Sequence, residues 1–140
     1  MTDLTDTKTT SPLGLAPSAT GAGLLRAVMR FDAVVTGANG IVYLALAGPL
    51  GDLFGLSTEL LRGVGAFLVL FAAFVALAGM RVPLAVVAGN VAWAAGSIVA
   101  AIAGWGSPET VGTVWIVLQA VVVGLFAELG LLGVRRARRV

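Results

Sequence analysis

Long apolar runs alternate with short polar interruptions along most of this chain, at intervals that suit helices and not strands. The runs fall at about 31–48, 63–80, 82–105 and 111–134. Each is close to the roughly 20 residues a helix needs to cross about 30 Å of hydrocarbon. None shows the period-two alternation of a barrel strand, and only helices and closed barrels satisfy their backbone groups in lipid. The pattern predicts an all-α fold, a polytopic membrane protein built as a four-transmembrane-helix bundle over residues 24–134. Ahead of it, residues 1–23 are rich in Thr, Ser, Pro, Gly and Asp without apolar periodicity, and are expected to be a disordered tail. Residues 135–140 form a short basic tail.

Breakers and caps fix the expected limits. Gly48-Pro49-Leu50-Gly51-Asp52 is expected to end the first helix, because Pro cannot continue the hydrogen-bond ladder. Ser57 or Thr58 suits the N-cap of the second helix, with Glu59 in its first turn at the positive dipole end. Pro83 suits the first turn of the third. Ser107-Pro108-Glu109 repeats that logic before the fourth, as cap, first-position Pro and first-turn acid.

Composition agrees with a membrane solvent and narrows the chemistry. The chain of 140 residues is 59% hydrophobic and 11% charged, with mean hydropathy +1.01, whereas soluble domains carry about 25% charged residues. It contains no Cys and no His. Thiol nucleophiles, disulfides, histidine-ligated haem, iron–sulfur clusters and the usual zinc sites are thereby excluded, and neither a metal nor a cofactor is expected. The net charge of +2 makes no broad nucleic-acid face. Eight of the nine basic residues (Lys8, Arg26, Arg30, Arg81, Arg135, Arg136, Arg138 and Arg139) fall on one side of the predicted bundle, against Arg62 on the other. The positive-inside rule makes that side cytoplasmic, with both termini inside and the protein in the cell membrane.

Polar residues within the runs are the candidate site. At about 100° per residue, Asp32, Thr36, Asn39 and Tyr43 share a narrow stripe on the first helix. Measured from Arg30, Arg81 and Arg135, helical rise predicts three levels: Thr36 with Glu128, Asn39 with Asn90, and Tyr43 with Ser97 and Gln119. Asp32 is expected at the interface, solvated or salt-bridged. Asn39 and Asn90 are expected within hydrogen-bond reach, either as glue between helices or as ligand-contacting amides. Glu128 is the sharpest residue, because an intramembrane carboxyl is normally paired or functional. It suits a proton- or cation-binding role, or a bond to Thr36 or the Arg cluster. No nucleophile or metal set accompanies these carboxyls, so no catalytic residue is assigned and an enzyme is not expected.

Small residues recur every fourth position at Ala92, Gly96, Ala100 and Gly104 on the third helix, and at Ala120 and Gly124 on the fourth. Such spacing lets membrane helices approach closely, so these are the predicted packing faces. Trp105 and Trp115 suit an outer aromatic belt, while Trp93 and Tyr43 lie deeper and could line a pocket.

In size and plan the chain resembles the uncharacterised small four-helix integral membrane proteins of high-GC bacteria. The Asn39-Gly40 pair in the first helix, the small turn around Arg81 and the acid-bearing last helix also make it distantly similar in plan to the DoxX-type four-helix group. Some members of that group are linked to quinone or thiol redox chemistry. The resemblance implies a four-helix bundle and transfers no functional residue.

Two functions follow as expectations. One is a non-catalytic accessory or interaction subunit, with the bilayer, a homo-oligomer or another membrane protein as partner. The other is an oligomeric small transporter or lipophilic-ligand binder that uses Glu128 and the Asn39/Asn90 layer.

Overall fold

The computed structural model describes residues 17–139, all helical where regular and without a strand among them. Five helices follow in order: α1 (Pro17–Ala45), α2 (Ala47–Phe54), α3 (Thr58–Ala78), α4 (Pro83–Ala103) and α5 (Thr110–Arg138). Three of them, α3, α4 and α5, are long and apolar enough to cross a membrane, and α1 with α2 makes a fourth if that bent pair counts as one span. Side chains such as Leu77 and Ile102 are more than 80% exposed, at 81% and 83%. This is the outward-facing apolar surface a bilayer would cover.

The predicted runs are recovered as helices, with two corrections at the first. Helix α1 begins at Pro17, so residues 17–23 of the expected disordered tail are helical. Gly21 explains how this end is held. A Cβ there would stand 2.8 Å from the backbone of Arg136 and Ala137, so α1 starts hard against the end of α5. Lys8 and the rest of the predicted tail lie outside the described residues.

The second correction is α2. The expected irregular link is a helix bent 92° from α1. It turns Ala47, Gly51 and Phe54 inward, the 3–4 spacing of an amphipathic helix. Pro49 does not break it, because a first-turn N–H has no partner to lose. The left-handed Gly55 closes α2. The Phe54 carbonyl then accepts the Glu109 N–H at 2.8 Å, tying α2 to the start of α5.

Ser57 caps α3 as expected, accepting the Leu60 N–H, and Pro83 stands in the first turn of α4. Ser107 is not the cap of α5. It sits at φ 52° in a tight turn beside Gly106, and α5 starts at Thr110 with no side-chain cap. The Glu109 N–H is committed to Phe54, which sets where α5 can begin.

Helix α1 packs on both α3 and α5, and α5 packs on α4, giving the spatial order α3–α1–α5–α4. Helices α1 and α3 cross at glycines: a Cβ on Gly40 would stand 2.8 Å from the Gly65 carbonyl, and one on Gly65 equally close to the Gly40 carbonyl. Helices α1 and α5 run antiparallel, with Leu25 against Gly133 at one end and Tyr43 bonded to Trp115 near the other. Consecutive helices α3 and α4 do not pack backbone to backbone. At the end bearing the arginines their gap is filled by a core of Leu25, Met29, Val75, Val86 and Val134. At mid-height Phe67 of α3 stacks on Trp93 of α4, with ring centroids 5.3 Å apart. Beyond that, towards α2, the gap stays open.

Candidate functional site

Two polar clusters occupy the middle of the bundle, both built on the α1 stripe. The lower one centres on Asp32, at 1% exposure the most enclosed polar side chain described. Thr36, one turn on, donates its hydroxyl to Asp32 Oδ1 at 2.8 Å. Asn90 of α4 donates its amide to Asp32 Oδ2 at 2.6 Å. Each carboxyl oxygen therefore has a donor. This meets the requirement that a buried polar group be hydrogen-bonded.

The expected interfacial Asp32 is thus overturned, and the cause is register. Arg30 is not the boundary of the bundle. The α1–α5 pairing carries α1 well past it to Gly21 and puts Arg30 at about the level of Glu128. Arg30 itself points outward and is exposed. Depth counted from Arg30 therefore places the stripe about two turns too shallow relative to α5.

The upper cluster is the partner of Tyr43. The Trp115 indole donates to the Tyr43 hydroxyl at 2.6 Å. Indole has no acceptor to offer, so Tyr43 must pass its own proton on, and it does so to Gln119 Oε1 at 3.3 Å. Asn39 Nδ2 donates to the same oxygen at 3.4 Å. Two donors on one oxygen fix the orientation of the Gln119 amide. Its Nε2 group is left as a donor with no hydrogen-bond partner among the described residues.

Asn39 and Asn90 therefore serve different clusters, and no hydrogen bond joins them. Of the predicted levels, Tyr43 with Gln119 is found, and Thr36 with Glu128 is not. Glu128 is exposed in a groove between α4 and α5, lined by Val91, Ala95 and Gly124 and away from both clusters. The residue sequence reasoning undervalued is Asp32. Its signal was there, in the four-residue spacing to Thr36.

Above the Phe67–Trp93 stack lies a cleft of about 390 Å³ between α3 and α4. Leu60 and Val64 form one wall, Gly96 and Ala100 the other, and Tyr43, Ser97, Trp115 and Gln119 the floor, with Trp105 also lining it. The small-residue stripe of α4 is explained by this space and not by packing. Ala92, Gly96 and Gly104 are exposed, and a Cβ on Gly96 would meet nothing within 4 Å. Gly124 is likewise open, while Ala120 is buried. Gly104 instead ends α4 as a left-handed cap.

A second cleft of about 340 Å³ opens between α1 and α5 and shares Trp93, Trp115 and Gln119 with the first. Beneath the aromatic stack a small cavity of about 50 Å³ reaches Thr36 and Asn90. The upper cluster is thus a partition between two apolar spaces. Among the described residues, no group of three or more Asp or Glu side chains is placed to hold a metal ion. Compared with family models, with curated proteins and with solved structures, the chain matches none.

Proposed function

We propose that this is a multi-pass protein of the cell membrane that crosses the bilayer four times and holds one neutral lipophilic molecule in the cleft between α3 and α4, without transforming it. In this reading α1 makes the first crossing and α2 lies along the outer surface at its 92° bend. The end carrying Arg81 and Arg135–Arg139 faces the cytoplasm, as do both termini.

One observation carries the binding role, the cleft with its polar floor. Its volume falls in the usual range for small-molecule sites, roughly 300–1,000 Å³, and such sites combine apolar walls with a few convergent polar groups. It lies between spans and would be reached sideways from the outer leaflet. The polarity of the floor selects the ligand. Trp115 directs its proton at the Tyr43 hydroxyl, Tyr43 and Asn39 direct theirs at Gln119 Oε1, and the remaining amide donor favours an acceptor oxygen such as a carbonyl or ether. No acidic or basic side chain lines the cleft, which favours a neutral molecule over an ion. A floor of amide, phenol, indole and hydroxyl lacks an acid–base pair and supports holding over turnover.

The accessory-subunit reading has its own support in Glu128. A carboxyl on an apolar, outward groove is costly in lipid, and a neighbouring membrane helix that donates to it would offset that cost.

The ligand reading is tested by fluorescence quenching in mild detergent, with Trp105→Phe removing the exposed indole. A brominated fatty-acid methyl ester is expected to quench Trp93 and Trp115 saturably, and more tightly than a bromoalkane of equal length. Gln119→Leu should erase that difference, a loss of about 0.5–1.5 kcal/mol for one hydrogen bond. Equal affinity for the two probes in the parent protein would reject the donor floor. Absence of saturable quenching by either probe would reject the binding role.

A further inference from the structure

On the far side of α1 from the cleft, a groove of about 550 Å³ runs between α1 and α3. Arg26 and Arg30 line it together with Met29, Val75, Ala76 and Met80. The two arginines are one helical turn apart, so their like charges face each other, an arrangement that is unfavourable on an isolated helix. No carboxylate lines the groove to offset them. Asp32, the nearest acid in sequence, is buried with both oxygens already engaged. Arg30 also stands well inside the end of the bundle, since α1 runs on beyond it to Gly21 against Arg136. Resting on the membrane reading above, this puts two guanidinium groups beside an apolar trough on the cytoplasmic side, from where their long side chains reach out to the inner-leaflet headgroups.

We propose that Arg26 and Arg30 hold the phosphate of an anionic phospholipid whose acyl chain lies in the α1–α3 groove. Guanidinium groups bind phosphate oxygens through paired N–H donors, and two of them can share one phosphate. Basic pockets between membrane helices on the cytoplasmic side are the expected seats of such headgroups. The groove supplies what a free phosphate would not use: Met80, Ala76 and Val34 form an open apolar surface beside the arginines. The lipid relieves the charge repulsion and covers apolar surface that α1 and α3 leave open.

The test is native mass spectrometry of the full chain in mild detergent with added phosphatidylglycerol or phosphatidylcholine of matched acyl chains. The parent protein is expected to retain phosphatidylglycerol selectively. Arg26→Gln/Arg30→Gln should weaken that retention roughly thirtyfold, the loss expected for two arginines near an anionic headgroup. A charge-matched control, Arg138→Gln/Arg139→Gln, should retain it within about threefold, the effect of less than one arginine at that scale. Glycerol 3-phosphate should not displace the lipid, because it lacks the acyl chain. Equal retention of both lipids, equal loss in the two double variants, or ready displacement by glycerol 3-phosphate would each overturn the proposal. Both arginines are exposed, so the paired substitution leaves the core intact. Quenching in the α3–α4 cleft, which neither lines, should be unchanged and reports separately on that site.

Discussion

Gly65→Ala is expected to destabilise the bundle by about 1–3 kcal/mol, the usual cost of forcing extra volume into a packed site, and Gly65→Leu by more. The crossing of α1 and α3 leaves no slack: the added carbon would lie 2.8 Å from the Gly40 carbonyl oxygen and 3.0 Å from the Tyr43 Cβ. The obstruction is largely backbone, so no rotamer change relieves it. Gly40→Ala should behave alike, since its Cβ would meet the Gly65 carbonyl at 2.8 Å and the Val69 backbone at 2.9 Å. Gly63→Ala is the matched control on the same helix. Nothing lies within 4 Å of its Cβ, and the gain in helix propensity should stabilise by up to about 1 kcal/mol. Denaturant titration followed by circular dichroism separates these outcomes. Equal effects at Gly63 and Gly65 would mean that α1 and α3 do not cross there.

Asp32→Leu should cost about 2–5 kcal/mol, and the loss should be recoverable. The substitution leaves the Asn90 amide and the Thr36 hydroxyl buried without their acceptor, at about 1–3 kcal/mol each. Thr36 can turn to a carbonyl of its own helix, so most of the penalty falls on Asn90. Replacing Asn90 with Leu as well removes the stranded donor, and the double variant should regain a large part of the loss. In a double-mutant cycle the coupling between the two positions should reach about 1–2 kcal/mol. Additive effects would show that Asp32 and Asn90 do not meet.

These two sites illustrate how far the sequence carries. Runs of about 20 apolar residues dictate helices because lipid tolerates little else, and all four were legible. The Tyr43–Gln119 contact was legible despite that shift, because two long side chains reach across the one turn that separates their levels. Asp32 was not, because the marker chosen for α1, Arg30, lies within the helix instead of at its end. Only the register against α5, from Gly21 to Tyr43, reveals this. Helix α2 was hidden by Gly48 and Pro49, although its inward positions Ala47, Gly51 and Phe54 already had helical spacing.

The small-residue stripe on α4 was misread for a different reason. Four-residue spacing states that space is available on a face, and it does not say what fills it. Here α3 stands away, so Gly96 opens onto a cleft, while the tight crossing falls to the unpatterned pair Gly40 and Gly65.

If the α3–α4 cleft seats a lipophilic molecule and is not an idle gap, filling it must abolish binding. Gly96 offers the most direct test, since it lines the cleft and its Cβ would meet nothing. Gly96→Phe fills the space without disturbing a contact. In the quenching assay with the brominated methyl ester, this variant is expected to lose saturable quenching of Trp93 and Trp115 while keeping the parent's stability. Saturable quenching that persists undiminished in the filled cleft would contradict it.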